Sequence, residues 1–297
     1  MGSKETVKIG TRKSRLAMAQ AQQVREVLNA AHPGWDIELV PITTTGDRFA
    51  DVPVSAVEGK GIFLKELEDA LLSREIDCAV HSMKDVPTEL PPELTIAVML
   101  KREDPRDGLV ASCSLADLPA GSRIGTGSSR RISQLLSFRP DFQCTPVRGN
   151  VDTRVRKWRD GQYDALVLAV AGLKRIGLAH LVSQILPFDI MLPAAGQGAI
   201  GIEVRREDHR LLENISCLDD RETHVAVSAE RAFLAAVGGG CRLPIGVYGA
   251  VEGSELHLSG MIVSDKNGAI LKGKASGSIE ESVIIANRLA KQLLNDT

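Results

Sequence analysis

Short β-branched runs alternate with amphipathic helical patterns through the first two-thirds of the chain, and this alternation limits the possible folds more than any other feature. Residues 7–10, 37–42 and 76–80 are strand-like, and the last run is almost continuously apolar, as in a buried parallel strand. Between them, apolar side chains recur every three or four residues over 17–31 and 63–71. Strands separated by helices are typical of βαβ units, so we predict an α/β architecture.

The alternation begins again after a polar interruption. Residues 101–108 (KREDPRDG) break the pattern, and we interpret them as a hinge or domain crossing. Further strands are predicted over residues 122–125, 143–147 and 164–170, and further helices over 130–138 and 151–159. Residues 9–15 and 124–130 share a strand end, a Gly-Thr pair, hydroxyls and arginine. Two similar α/β lobes facing one cleft would explain this short repeat.

The pattern changes after about residue 223. A helix predicted over residues 225–236 runs into three successive glycines. Strand-like runs follow over residues 247–251, 256–263 and 269–275, and an amphipathic helix is predicted over 278–294. We interpret this region as a third, α+β domain with an antiparallel sheet.

Composition argues against several functional classes. The formal net charge is −2 and aromatic residues make up 3% of the chain, which disfavours a nucleic-acid protein built on the arginines of residues 148–159. No apolar run approaches the roughly 20 residues of a membrane-spanning helix. The polar opening residues lack the apolar core of a secretory signal, and the 5 cysteines show no metal-binding spacing. We therefore expect a cytoplasmic protein with free thiols and no metal.

Arginines follow several of the predicted strand ends. They are Arg12, Arg15, Arg130, Arg131, Arg148, Arg154 and Arg175. Ligands of open α/β sheets bind beyond the carboxyl ends of the strands, and helix N-termini there favour anions. Arginine forks add bidentate carboxylate sites, so we predict a cleft for a polyanion. Solvated helix faces explain Arg156, Lys157 and Arg159 better than a ligand does.

Asp85 lies at the polar tip that follows the strand predicted over residues 76–80. A carboxylate there could bind a substrate N–H, stabilise a developing cation or transfer protons. It could equally form a turn before Val86 and Pro87, or pair with Lys84. The position alone leaves these alternatives open.

Cys241 and His81 are two further candidates. Cys241 follows three glycines in residues 238–246 (GGGCRLPIG), and such a loop can bring a nucleophilic or modified thiol to a cleft. It can also be a small apolar residue in a tight turn. For His81 we predict a hydrogen-bonding role, because no second histidine or cysteine has a spacing suited to a shared metal.

Eight segments, in order along the chain, resemble the hydroxymethylbilane synthase, or porphobilinogen deaminase, family. They are residues 11–17 (TRKSRLA), 60–66 (KGIFLKE), 81–87 (HSMKDVP), 102–107 (REDPRD), 148–154 (RGNVDTR), 168–175 (LAVAGLKR), 192–199 (LPAAGQGA) and 239–246 (GGCRLPIG). Two positions depart from the family pattern: Gly127 replaces a residue that usually bears a hydroxyl, and Glu58 replaces a common glycine in a segment that we interpret as a lid.

The resemblance implies a fold of three domains. Two α/β domains, like those of periplasmic binding proteins and transferrins, surround a cleft, and a smaller C-terminal α+β domain carries the cofactor cysteine. The implied bounds are residues 1–99 with 199–216 for the N-terminal domain, 104–193 for the central domain and 220–297 for the C-terminal domain.

The resemblance also implies an enzyme, which joins four porphobilinogens head to tail on a dipyrromethane cofactor and releases ammonia and the linear tetrapyrrole hydroxymethylbilane. The cofactor is held by a thioether to Cys241, and Asp85 is the catalytic residue. The implied cofactor-binding residues are Cys241, Ser82, Lys84, Ser128, Arg130, Arg131, Arg148 and Gly149. The implied substrate-binding residues are Arg12, Ser14, Phe63, Arg154, Arg175 and Gln197.

The same resemblance implies a monomer that binds neither a metal, a nucleic acid nor a membrane. Each porphobilinogen carries two carboxylates, so a growing chain of pyrroles is the polyanion that clustered arginines would bind. The alternative is a cytosolic, two-lobed anion-binding protein without catalysis. That alternative explains the arginines but leaves the loop at Cys241 without a role.

Overall fold

The computed structural model describes residues 5–45, 64–238, 244–264 and 268–295. The chain forms two compact units, the first made of residues 1–102 and 199–224 and the second of residues 103–198 and 225–297. The described helices are α1 (Arg15–Ala31), α2 (Lys65–Leu72), α3 (Ser129–Phe138), α4 (Val151–Arg159), α5 (Val170–Arg175), α6 (His209–Ile215), α7 (Arg221–Ala236) and α8 (Ser282–Asn295). The described strands are β1 (Glu5–Arg12), β2 (Trp35–Ile42), β3 (Cys78–Ser82), β4 (Leu94–Met99), β5 (Asp107–Val110), β6 (Arg123–Gly125), β7 (Gln143–Thr145), β8 (Ala165–Ala169), β9 (Val182–Ile185), β10 (Ile200–Arg205), β11 (Gly246–Glu252), β12 (Glu255–Val263) and β13 (Ile270–Ser278).

The first unit is built on a five-stranded sheet of order β2-β1-β3-β10-β4. Strands β1, β2 and β3 are parallel, and β10 is antiparallel to both of its neighbours. Helix α1 begins after Ser14, whose hydroxyl accepts a hydrogen bond from the N–H of Ala17. Its apolar face, which includes Val24 and Leu28, is buried in the core of this sheet.

The second unit contains a sheet of the same design. Its order is β7-β6-β8-β5-β9, with β6 parallel to β7 and β8, and with β5 antiparallel to β8 and β9. Position by position, β6 corresponds to β1 and β5 corresponds to β10. The short repeat noted in the sequence therefore lies at equivalent strands of the two sheets.

The C-terminal part of the second unit is an antiparallel sheet of order β11-β12-β13. Phe233 of α7 and Leu289 of α8 are buried in its core, where glycines on β12 and β13 leave room for helix side chains. The N–H of Val247 donates to the carbonyl of Pro193, at 2.9 Å, which joins this sheet to the loop before β10. These sheets confirm the fold class, while the bounds given above for three domains stay a prediction.

Four strands in the described part of the chain were not predicted, namely β4, β5, β9 and β10. The chain does cross from the first unit to the second within the predicted hinge or crossing at residues 101–108, between residues 102 and 103. The interpretation is wrong only for Asp107 and Gly108, which begin the buried strand β5. An aspartate is more typical of a loop than of the start of a buried strand, so the sequence did not indicate β5. Asp107 is accommodated here because distant arginines neutralise it.

Candidate active site

A small open pocket lies in the first unit, where the parallel strands β1 and β3 end. The carboxyl ends of parallel strands are the usual ligand position in α/β sheets. Its polar lining consists of Arg12, Ser14, Gln20, His81, Ser82 and Asp85. The sequence therefore predicted four side chains that the fold brings together here, one guanidinium, two hydroxyls and one carboxylate.

Asp85 is presented by a short 3-10 turn, Met83–Asp85, that follows β3. The turn is anchored by Met83, whose side chain is buried and whose N–H donates to the carbonyl of Ala199 at 3.1 Å. The next two side chains, Lys84 and Asp85, are exposed. A fixed backbone with an accessible carboxylate is the arrangement that proton transfer to a ligand requires.

Ser14 and Ser82 have structural partners as well as positions in the pocket. Ser14 caps α1, as described above, and the side chains of Gln20 and Ser82 hydrogen bond to each other, with 2.7 Å between Nε2 and Oγ. Gln20 was not predicted from the sequence, although a polar residue on the apolar face of α1 is a signal that could have identified it.

Arg130 and Arg131 lie in the second unit and are buried against Asp107. Arg130 Nη1 is 2.8 Å from Asp107 Oδ2, and Arg131 Nη2 is 2.7 Å from Asp107 Oδ1. Burial alone would raise the pKa of Asp107, but the two guanidinium groups hold it well below its usual range. Burial lowers the pKa of Arg130 in turn. Ser128, half-buried, precedes this pair as the N-cap residue of α3.

Arg148, Gly149 and Arg154 lie around the start of α4. Gly149 has a φ of +98°, and a side chain there would lie 2.6 Å from the methyl group of Thr153, so only glycine fits. Arg154 Nε donates to the Gly149 carbonyl at 2.8 Å. The helix start thus holds Arg154 beside a backbone turn, with Arg148 half-buried before it.

Arg175 and Gln197 belong to the network around Asp107 and the loop before β10. Arg175 Nη2 donates to the Gly198 carbonyl at 2.7 Å, and burial lowers the pKa of Arg175 to about 10 despite the nearby Glu103. Gln197 Nε2 donates to Asp107 Oδ1 at 3.1 Å. Asp107 is the residue at the centre of this network, and the sequence did not identify it as a site residue.

The remaining predicted site residues, Cys241 and Phe63, lie outside the described residues, as do Glu58 and the segment interpreted as a lid. The predicted hydrogen-bonding role of His81 is confirmed, because its Nε2 lies 2.9 Å from Glu203 Oε2. Across the described ranges, no cluster of three or more acidic, histidine or cysteine side chains could hold a metal ion. In the same part of the chain, no helix is both long and apolar enough to cross a membrane.

Comparison with known proteins decides the family. Residues 7–213 match the model described as "Porphobilinogen deaminase, dipyromethane cofactor binding domain", and residues 224–295 match "Porphobilinogen deaminase, C-terminal domain". This chain belongs to the porphobilinogen deaminase family. A relative named porphobilinogen deaminase from Roseiflexus sp. (strain RS-1) is 48% identical over 98% of this chain and 97% of its own length. Another, from Syntrophotalea carbinolica, is 47% identical over 98% of this chain and 93% of its own length.

Solved structures with a similar arrangement are far more distant in sequence. The periplasmic aliphatic sulphonate binding protein SsuA from Escherichia coli is 17% identical, with a TM-score of 0.41 over 78% of this chain and 70% of that one. The BenM effector binding domain with benzoate is 16% identical, with a TM-score of 0.42 over 72% of this chain and 92% of that one.

Membership of the family confirms three expectations from the sequence. The chain is an enzyme of tetrapyrrole biosynthesis, its activity is the polymerisation of porphobilinogen with release of ammonia, and its cofactor is dipyrromethane. The alternative of an anion-binding protein without catalysis is less well supported. The roles of individual residues stay predictions.

Proposed function

We propose that Asp85 is the catalytic residue of this porphobilinogen deaminase activity and that Cys241 anchors the dipyrromethane. The observation that carries the proposal is the pocket at the ends of β1 and β3, where an accessible carboxylate, a guanidinium and two hydroxyls meet. A porphobilinogen offers the complementary groups, namely an amine, a pyrrole N–H and two carboxylates.

The second unit contains residues that fit a cofactor bearing carboxylates. In the second unit, two buried guanidinium groups meet one carboxylate, that of Asp107, so this cluster keeps an excess positive charge. Arg175, whose pKa burial lowers to about 10, is a further cation that an acidic ligand would stabilise. The residues that would hold the cofactor are Cys241, Ser82, Lys84, Ser128, Arg130, Arg131, Arg148 and Gly149. When bound, the dipyrromethane supplies a nucleophilic pyrrole carbon as the primer of the reaction.

Asp85 would transfer a proton and stabilise the developing positive charge in each condensation. The amine of porphobilinogen must be protonated to leave as ammonia, and a carboxyl group at Asp85 can donate that proton. The departure leaves an electron-deficient methylene-pyrrole, which the resulting carboxylate can stabilise by accepting its pyrrole N–H. A group on an anchored turn is already oriented for this task, so little reorganisation is needed during the reaction.

The arginines would bind the acetate and propionate groups of substrate. The proposed substrate-binding residues are Arg12, Ser14, Phe63, Arg154, Arg175 and Gln197. Each charge-assisted hydrogen bond contributes about 1.5–3 kcal/mol. Gln197 contacts Asp107, the carboxylate that also binds Arg130 and Arg131, so its contribution includes orienting that cluster.

We also propose that the protein works in the cytoplasm, as a monomer and without a metal. The described cysteines, Cys78, Cys113, Cys144 and Cys217, are all free thiols, which fits a reducing compartment. Size-exclusion chromatography with light scattering would test the oligomeric state.

Intact-mass spectrometry tests the anchor directly. We expect the purified protein to be heavier than its sequence by two pyrrole units. Cys241→Ser should lose this excess mass together with turnover, because no thioether can form. Cys113→Ser and Cys217→Ser, which change cysteines elsewhere, are matched controls that should keep both. Excess mass that persists in Cys241→Ser would place the anchor on another residue.

A further inference from the structure

His81 and Glu203 form a buried polar pair in the first unit that none of the roles above uses. His81 Nε2 lies 2.9 Å from Glu203 Oε2, and the side chains are 4% and 0% exposed. Stability alone does not explain such a pair, because apolar residues of similar volume often serve as well or better in its place. The position of the pair offers another explanation.

The pair connects the wall of the pocket to the centre of the sheet. His81 is in β3 and Glu203 in β10, and these strands are antiparallel, with His81 opposite Gly201 and Glu203 opposite Ala79. The two side chains are therefore diagonal neighbours on one face of the sheet. His81 also lines the pocket that contains Asp85.

The turn that carries Asp85 begins two residues after His81. Its first residue, Met83, donates its N–H to the carbonyl of Ala199 at 3.1 Å. The sulfur of Met83 also fills the space that a side chain at Gly201 would need. The end of β3 and the start of the turn are thus both held by β10 and the residue before it.

The carboxyl group of Glu203 is not optimised for stability. Its Oε1 atom is buried without a hydrogen-bond partner in the part of the chain that the structure describes. The pKa of the nearby Glu68 is raised, by burial first and by Glu203 second, while His81 acts in the opposite direction. A buried carboxylate oxygen without a protein partner adds nothing to stability, so the position of the pair beside the pocket is the stronger indication of its role.

We propose that His81 and Glu203 are positioning residues for the reaction: Glu203 holds the imidazole of His81, and the pair fixes the end of β3 and the turn that presents Asp85. The inference rests on the proposed catalytic role of Asp85. A misplacement of about 1 Å in a catalytic group can lower the rate about 100-fold, so the supporting residues matter.

The test replaces the pair by apolar residues of similar volume, His81→Phe together with Glu203→Leu. We expect holoenzyme with an unchanged or higher Tm, a kcat about 10- to 100-fold lower, as is usual when a supporting residue is lost, and a nearly unchanged KM. The matched control is Asp208→Asn. Asp208 pairs with Arg205 at 2.9 Å elsewhere in the same unit, so its loss should lower Tm and leave kcat at the wild-type value.

A conservative variant provides the rescue. Glu203→Gln keeps an oxygen that accepts from the His81 ring, and it should restore most of the kcat lost in Glu203→Leu. The inference is overturned if the double variant has wild-type kcat, or if its KM rises as much as its kcat falls.

Asp85→Asn, assayed in parallel, separates the two proposals. If Asp85→Asn loses turnover and the double variant does not, only the positioning role fails. If Asp85→Asn keeps turnover, the proposed function fails.

A measurement on the wild-type protein covers the case in which the double variant does not fold. With 6 histidines in the chain, each imidazole can be followed by nitrogen-15 NMR. We expect the His81 signal, assigned with Glu203→Gln, to shift when porphobilinogen is added. A signal that does not respond to saturating porphobilinogen overturns the inference.

Discussion

The ends of β1 and β6 occupy the same position in their two sheets, but the arginines near them have different surroundings. Gly10 and Gly125 are both packed closely against side chains, and the threonines that follow them, Thr11 and Thr126, are both buried. Arg12, the last residue of β1, lines an open pocket. Beyond β6, the arginines are buried against a carboxylate of their own unit.

The difference lies in where the nearby carboxylate is placed. In the first unit the carboxylate of Asp85 is exposed, on a turn within the same pocket as Arg12. In the second unit the carboxylate of Asp107 enters the core and binds Arg130 and Arg131. The first unit therefore places charged side chains around a pocket, and the second uses two of its arginines to hold its structure.

The largest effect is expected from Asp85→Asn. The variant lacks a carboxyl proton and a negative charge, so turnover should fall by about 10²–10⁴. Its Tm should stay at the wild-type value because the side chain is exposed. Product formed per molecule of cofactor-loaded protein, together with a melting curve, measures both.

Glu89→Gln is the control, since Glu89 is an exposed carboxylate four residues further along the chain and outside the residues that line the pocket. Its turnover should equal that of the wild type. If loaded Asp85→Asn turns over within about tenfold of wild type, below the range for a lost general acid, Asp85 is a structural turn residue.

Asp107→Asn should have the opposite effect to Asp85→Asn. It should lower the free energy of unfolding more than it lowers turnover. Removing this carboxylate leaves two buried guanidinium groups without their partner, and breaking a buried ion pair typically destabilises a protein by about 3–5 kcal/mol. Urea denaturation would measure the change in the free energy of unfolding. Asp141→Asn, which removes an exposed carboxylate paired with Arg139, should leave the denaturation midpoint unchanged.

The difference in stability between the wild type and Asp107→Asn should depend on pH in a defined direction. Because the pKa of Asp107 is lowered on folding, its stabilisation is present above the ordinary carboxyl pKa and is lost only as the pH falls through the lowered value. The stability difference between wild type and Asp107→Asn should therefore stay constant from neutral pH to about pH 5 and shrink only in strong acid. A difference that shrinks near neutrality would contradict the buried ion pair.

The smallest effect separates the two glycines at the strand ends. An added methyl group at Gly10 meets chiefly the terminal methyl group of the Ile76 side chain. At Gly125 it lies 2.6 Å from a terminal methyl group of Leu166 and also 2.9–3.0 Å from the rigid ring of Tyr163, whose hydroxyl donates to the carbonyl of Pro146 at 2.9 Å. Gly125→Ala should therefore destabilise by about 1–3 kcal/mol, and Gly10→Ala by less. Equal melting temperatures for the two variants would contradict this difference.

Local sequence patterns predicted the helices and strands that are buried through their own apolar residues. Helix α1 has regular apolar spacing, and strands β2, β3 and β8 are rich in apolar residues, so all of them were identified from the sequence. Strand β5 was missed because it starts with Asp107, and its burial depends on arginines more than twenty residues away. The local sequence pattern cannot indicate this ion pair, because the compensating arginines lie on another helix.

The same distinction applies to the candidate site. Arg12, Ser14 and Asp85 were predicted because they follow strand ends or matching motifs, and the fold brings them to one pocket. Glu203 was not, since it lies within an apolar strand that pairs with β3 only through a long-range crossover. Its partner His81 was interpreted correctly as a hydrogen-bonding residue, but the identity of the acceptor depends on the register of two distant strands.

The sheet order has a consequence for synthesis on the ribosome. Strand β10 lies between β3 and β4 in the first sheet, but it is encoded about a hundred residues after them, at residues 200–205. The second sheet, in contrast, draws all of its strands from residues 107–185. A nascent chain therefore emerges with one edge of β3 unpaired and with β4 lacking its partner strand, and such edges promote association with other chains. We expect the part of the protein made first to finish folding last, the reverse of the usual order for domains during translation.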